Sequence, residues 1–268
     1  MVSQPDRPGH RLKLTPPAVK VAAGKLGLKV IQPERIREPG SIDEIALARP
    51  ELIVVVAYGQ IIPRSILELA PRGVINVHGS LLPAHRGAAP VAHSLLAGDS
   101  VTGVTIMQMD EQLDHGPILT ARELPIGRED DAAVLTNRLA LAGAELLVET
   151  IGRLDQITPR EQDHSLATLA PKLSRADGDL SWELPAVEID LRVRAFRPWP
   201  GVTLPFSGSR IKVLRGGVGS GSGRAGEVLG LDGEGVLVAA GMGAFRLDEV
   251  QIPGRRPMAA RLLVASGG

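Results

Sequence analysis

An α/β architecture is predicted, with a mostly parallel sheet followed by a small β-barrel, and three observations carry that expectation. Glu51-Leu-Ile-Val-Val-Val-Ala57 is a continuous apolar run, the mark of a strand covered on both faces. Helical segments alternate with such runs as far as Leu154, the pattern of a parallel sheet. Beyond Thr158 the chain changes to brief apolar runs set among glycines, as a small barrel requires.

Taken in order, Thr15–Gly24 reads as a helix with proline in its first turn. Lys29–Gln32 is a short strand. Ser41–Arg49 is a helix, capped by Ser41 with Glu44 three residues on. After the Glu51–Ala57 strand come a helix over Pro63–Leu69, a strand over Val74–His78 and a helix over Ala88–Ala97. Strands follow at Val104–Met109 and Ile118–Ile126. Asp130–Leu154 is a long helix with an apolar stripe through Leu135, Leu139, Ala142, Leu146 and Val148. Pro159–Asp177 is polar and aperiodic, a linker. A short helix over Pro185–Phe196 leads into three strands, Arg210–Leu214, Gly235–Ala239 and Ala244–Leu247. The glycine- and serine-rich Gly216–Gly223 lacks a P-loop ending and reads as a mobile hairpin. The division expected is 1–158, a linker over 159–178, and 179–268.

Composition narrows the chemistry. The 268 residues are 44% hydrophobic but only 2% aromatic, so the core is aliphatic. With no cysteine, disulfides, thiolate metal sites and cysteine nucleophiles are excluded. No run of 18 apolar residues spans a membrane, and a reducing, cytoplasmic setting fits. Net charge is +0, but Arg7–Lys29 holds six Lys or Arg and no acid, and Pro185–Gly268 holds 11 against 7 acids. Two basic regions on a neutral chain make a local footprint for a polyanion, or an ordinary solvated surface.

The candidate chemistry sits at Asn76 and His78. Two residues apart on a strand, they share a face, at the carboxyl end where open α/β sheets bind ligands. Read singly, they suit a strand end with a hydrogen-bonded histidine, and Asp114, in Gln112-Leu-Asp-His-Gly116, suits an Asx turn. Together an amide, an imidazole and a carboxylate supply an oxyanion donor and a proton relay. Ser80 is not in a nucleophile elbow, since Leu82 and Pro83 follow, and serves as a turn residue. No pair among the six histidines has metal-ligand spacing.

Asn76-Val-His-Gly-Ser-Leu-Leu-Pro83, Arg86-Gly-Ala-Ala-Pro90, Gly103-Val-Thr-Ile-Met-Gln-Met-Asp110 and Leu113-Asp-His-Gly116 resemble the 10-formyltetrahydrofolate-dependent formyltransferases. Gln4-Pro-Asp-Arg-Pro8 and Ala195-Phe-Arg-Pro-Trp-Pro-Gly201 share in the resemblance, and Gly87-Ala-Ala-Pro90, Met107-Gln-Met-Asp110 and Phe196-Arg-Pro-Trp-Pro-Gly201 look most like the methionyl-tRNA formyltransferase family. The resemblance covers nearly the whole chain. It implies a Rossmann-like sheet and a C-terminal OB-like barrel. It also implies transfer of a formyl group from the co-substrate 10-formyltetrahydrofolate to methionyl initiator tRNA, without a metal. Asn76 and a protonated His78 would stabilise the oxyanion, with Asp114 paired to His78. Folate would lie near Tyr58, Gly59, Ser80, Leu81, Leu82 and Pro83. Arg11 and Lys13, with Arg192, Arg194, Arg197 and Arg210 on the barrel, would meet tRNA phosphates.

The family frame opens with a further strand and helix, whereas this sequence opens on the second strand. The resemblance therefore implies a sheet lacking its first strand and helix, with Ile53–Val56 unpaired on one side. A monomer with no membrane or DNA partner is expected. Formyl transfer to a sugar amine or to water, and an inactive tRNA-binding remnant, are the alternatives.

Overall fold

The computed structural model describes residues 1–8 and 14–265. Strands β1 (Arg7–Pro8) and β2 (Leu14–Thr15) pair antiparallel. Helix α1 (Ala18–Lys25) begins later than predicted, because Pro17 holds Pro16 out of the helical region and itself takes an extended ψ of 145°. The strand expected at Lys29–Gln32 is reduced to one parallel bridge between Val2 and Ile31. Helix α2 (Pro39–Leu47) takes Pro39 in its first turn and Glu38 as N-cap, so Ser41 is not the cap; its hydroxyl donates to the Arg35 carbonyl.

Then follow β3 (Ile53–Val56), α3 (Arg64–Leu67), β4 (Val74–His78), β5 (Arg86–Gly87), α4 (Pro90–Leu96), β6 (Val101–Gln108), β7 (Ile118–Pro125) and α5 (Ala132–Gly152). The main sheet has the order β3–β4–β6–β7. Pairing is parallel between β3 and β4 and antiparallel from β4 through β6 to β7. No helix separates β6 from β7, so they join as a hairpin, which only antiparallel strands allow. Among the described residues β3 has a neighbour on one side only. Val55 packs beside Ile66 and Tyr58, while Val54 and Val56 are exposed.

Helix α5 is capped by the Asp131 carboxylate, which accepts from the Val134 amide. Its buried stripe is Leu135, Leu139, Gly143, Leu146 and Thr150, and Val148 is 71% exposed, against the prediction. The 3.6-residue period carries the stripe from Leu146 to Thr150, which leaves Val148 on the far face. Gly143 lets the helix approach the sheet closely: a Cβ there would lie 3.2 Å from Val77.

The polar stretch after α5 is not featureless, since β8 (Leu169–Ala170) pairs parallel with β5. Helix α6 (Ala186–Ala195) packs on α4. Next come β9 (Val202–Phe206), β10 (Ser209–Gly219), β11 (Val228–Asp232), β12 (Gly235–Ala239), β13 (Ala244–Gln251), β14 (Met258–Ala259) and α7 (Leu262–Ala265). The strands form one antiparallel sheet, β11–β12–β13–β10–β9, with β14 on β13. Gly216–Gly219, expected in a mobile hairpin, instead continue β10 opposite Leu247–Ala244. A Cβ on Gly216 would strike the Phe245 ring, at 2.5 Å, so glycine here serves packing. A continuous buried cluster joins Ile106 and Leu139 of the first half to Phe196, Val213 and Phe245 of the second. No helix among the described residues is long and apolar enough to cross a membrane.

Candidate active site

Strand β4 is held between β3 and β6, so its carboxyl end is a rigid platform. Asn76 and His78 share one face of it and are 9% and 5% exposed. The turn that follows is pinned to β6 by Thr105, whose hydroxyl donates to the Ser80 carbonyl at 2.7 Å and accepts from the Leu82 amide at 3.1 Å. Ser80 is fully buried and its hydroxyl donates to the Ala84 carbonyl, which confirms the turn role.

Asp114 arrives from the β6–β7 hairpin with a left-handed φ of +46°. Gly116 permits the close approach of that loop, because a Cβ there would lie 2.0 Å from the Gln108 carbonyl oxygen. One carboxylate oxygen accepts the Gly87 amide at 2.8 Å and stands 3.6 Å from His78 Nδ1. The other stands 3.4 Å from Asn76 Nδ2, a long contact that leaves the amide free to donate elsewhere. Asn76 and His78, paired by their spacing on the strand, thus meet Asp114 from the later loop.

His78 Nε2 lies 3.0 Å from the His85 carbonyl oxygen. A carbonyl can only accept, so Nε2 carries the proton and, in the neutral ring, the Nδ1 lone pair faces Asp114. Burial pushes the His78 pKa below its usual value near 6.5; the Asp114 charge and the His85 hydrogen bond oppose this, and the His85 and Arg86 charges add to it. Burial of the ring thus works against the imidazolium that the resemblance implied.

Among the groups expected around folate, Leu82 packs with Met107 and Ile118, and Leu81 sits over Gly103. Gly59 is left-handed at φ +80°, and Gln4 donates to the Tyr58 carbonyl. The Tyr58 hydroxyl is buried without a hydrogen-bond partner among the described residues, a group that a bound ligand would satisfy. No geometry in the structure distinguishes a part for Pro83 beyond closing this turn.

Arg11 and Lys13 lie outside the described residues. The barrel arginines expected to meet phosphates are each already paired: Arg192 with Glu188, Arg194 with Asp190, Arg197 with Asp131 and Arg210 with Asp179. Such pairs were invisible to a charge count. Arg175 and Lys212 have no carboxylate partner among the described residues, and both line a cleft of about 830 Å³.

Sequence reasoning missed the Gly87 amide and Gln162. Gln162 lies in the aperiodic stretch, 5% exposed, and no local pattern marks it. It donates to the carbonyls of Asp114 and Gly116, at 3.0 and 2.7 Å.

Comparison with known proteins gives this site its context. The formyl transferase family profile matches residues 1–151, and the formyl transferase C-terminal domain profile matches residues 172–267. The fold and site thus define a formyl transferase that carries its own C-terminal domain. A methionyl-tRNA formyltransferase from Geobacter metallireducens is 42% identical over 268 residues, covering 99% of this chain and 86% of that protein. One from Pseudomonas paraeruginosa is 46% identical over 260 residues, covering 96% and 84%. The chain belongs to the methionyl-tRNA formyltransferase family. The fold is shared with an N-formyltransferase from Helicobacter canadensis, solved with folinic acid and dTDP-3-aminofucose, at TM-score 0.68 and 16% identity over 92% of this chain and 87% of that one. It is also shared with HypX from Aquifex aeolicus, solved with tetrahydrofolic acid, at TM-score 0.65 and 17% identity over 91% of this chain and 44% of that one.

Proposed function

We propose that this chain transfers the formyl group of 10-formyltetrahydrofolate to the α-amine of methionyl initiator tRNA, supplying the formylated tRNA for translation initiation. The convergence of Asn76 and His78 on Asp114, at the carboxyl end of β4, carries the mechanism. The amine nitrogen attacks the formyl carbon, and the carbonyl oxygen becomes an oxyanion that Asn76 Nδ2 is placed to hold. The proton lost by the amine passes, directly or through water, to His78 Nδ1, and Asp114 stabilises the imidazolium so formed. That proton then goes to N10 of the folate as the C–N10 bond breaks. The active cycle thus starts from the neutral histidine that burial favours.

Tyr58, Gly59 and the Leu81–Pro83 turn form our proposed folate wall, with the orphan Tyr58 hydroxyl supporting it. Arg11, Lys13, Arg194 and Arg197 remain our proposed tRNA contacts. Arg197 is half exposed, so a phosphate can replace its Asp131 partner at modest cost, whereas Arg194, mostly buried beside Asp190, must give up a shielded pair. We also propose a cytoplasmic monomer, divided at residues 158 and 178, acting without DNA or membrane.

Transfer to a sugar amine or to water, or an inactive remnant, fits less well. The relatives at 42% and 46% identity carry the tRNA enzyme's name, and all three site residues are in place. Single-turnover formylation of methionyl-tRNA tests the reading, with Asp114→Asn as control. Transfer that disappears in the control supports it; turnover only with a sugar amine, or none with any acceptor, refutes it.

A further inference from the structure

We infer that Gln162 is a positioning residue for the Asp114 loop, so that the segment between the two matched family regions completes the active site. This rests on the reading of Asp114 and His78 given above. Gln162 falls outside both matched regions, which end at residue 151 and resume at 172.

The hydrogen-bond set around Gln162 determines its orientation. The carbonyls of Asp114 and Gly116 can only accept, so the side-chain NH₂ faces them. The Arg86 guanidinium can only donate, and its Nε and Nη2 reach Oε1 at 3.2 and 2.6 Å. Both donors and the acceptor oxygen are satisfied, with Gln162 and Arg86 both buried. The NH₂ therefore braces the backbone on both sides of His115 and holds Asp114 in its left-handed conformation.

Arg86 is itself 8% exposed and has no carboxylate partner among the described residues. Its remaining contact is His164 Nδ1, at 2.8 Å, an acceptor in the same segment. The His164 ring stacks on His115 of the catalytic loop, with centroids 4.0 Å apart, and His115 bonds Asp110 at 2.7 Å. Two further bonds fasten the segment to the residues that present the Gly87 amide: Arg86 N to the Thr168 carbonyl, and Ala89 N to the Ala170 carbonyl. One strap thus grips the Asp114 carboxylate through Gly87 and its backbone through Gln162.

Gln162→Glu tests the inference, because it keeps the acceptor for Arg86 and removes both donors to the loop. The expected result is a fall of tenfold or more in kcat, with KM for each substrate within twofold. In Gln162→Asn, which adds no charge beside Arg86, the limb of the pH–kcat profile that reports His78 should also move to lower pH. His78 is faced by Asp114, His85 and Arg86, and a displaced Asp114 removes the carboxylate that raises its pKa. Gln162→Asn, which keeps the amide but shortens its reach, is the second variant should the first lose its fold, and the same loss is expected. Parent-like kcat in a folded variant, or a rise in KM at parent kcat, overturns the inference. Asp114→Asn is assayed alongside: activity in that variant overturns the underlying site reading, whereas an inactive Asp114→Asn beside a parent-like Gln162→Glu overturns this inference alone.

Discussion

The Gly87 amide donates to Asp114 Oδ2 at 2.8 Å, so the carboxylate we propose for catalysis is aimed by a backbone group 27 residues away in sequence. Gly87 has φ +125°, in a region open chiefly to glycine, and a Cβ there would lie 2.6 Å from the Ala170 carbonyl oxygen. Gly87→Ala must therefore spread β5 from β8 and move the amide. We expect about 1–3 kcal/mol of destabilisation from the forced backbone, and kcat reduced tenfold or more. Urea unfolding and steady-state kinetics measure the two effects.

Asn76→Ala removes the proposed oxyanion donor. The expected loss is about 10²–10³ in kcat, as for other single oxyanion donors, with KM for both substrates little changed. A loss confined to KM would place Asn76 in ground-state binding instead.

His78 sets a pH dependence of stability. Its folded pKa is lowered by burial while the unfolded value is near 6.5. Below pH 6.5 the unfolded chain binds a proton that the folded chain refuses, so stability falls as pH drops from there toward the folded pKa. Above pH 6.5 this contribution is fully present and flat. Denaturant titrations from pH 8 to pH 5 should show the decline, and His78→Asn should flatten that part of the curve.

Arg175 and Lys212, beside the barrel cleft and without a carboxylate partner among the described residues, are available to a polyanion without breaking an ion pair among them. Arg175→Ala with Lys212→Ala should leave thermal stability near that of the parent and weaken tRNA binding. If each meets one phosphate, the log–log salt slope becomes shallower by about 1.4–1.8, using the per-phosphate slopes known for single strands and duplexes. An unchanged slope would assign tRNA contact to other cations.

The core prediction is simpler. Leu135 is fully buried between α5 and the sheet. Leu135→Ala should cost about 2–5 kcal/mol, the range for buried leucine truncation, with kcat unchanged in the fraction that remains folded.

Sequence by itself determined the α/β class, the strand ending at His78 and the shared face of Asn76 and His78, while the arrival of Asp114 beside them was decided by the tertiary fold. The first three features are local: an apolar run reports burial on both faces, and a two-residue spacing reports a shared face. A charge count also located the basic regions, but not which cations were free, because ion pairs such as Arg197 with Asp131 join residues far apart in sequence. The antiparallel pairing of β6 and β7, the continuation of β10 through Gly216–Gly219 and the exposure of Val148 were decided by tertiary packing. So was the downward push on the His78 pKa, since desolvation depends on everything that covers the ring. Gln162 is the extreme case. Its side chain has no periodic or motif context, and its part in the site arises only because the segment that carries it folds back over β5 and brings an amide to two carbonyls 46 and 48 residues earlier in the chain.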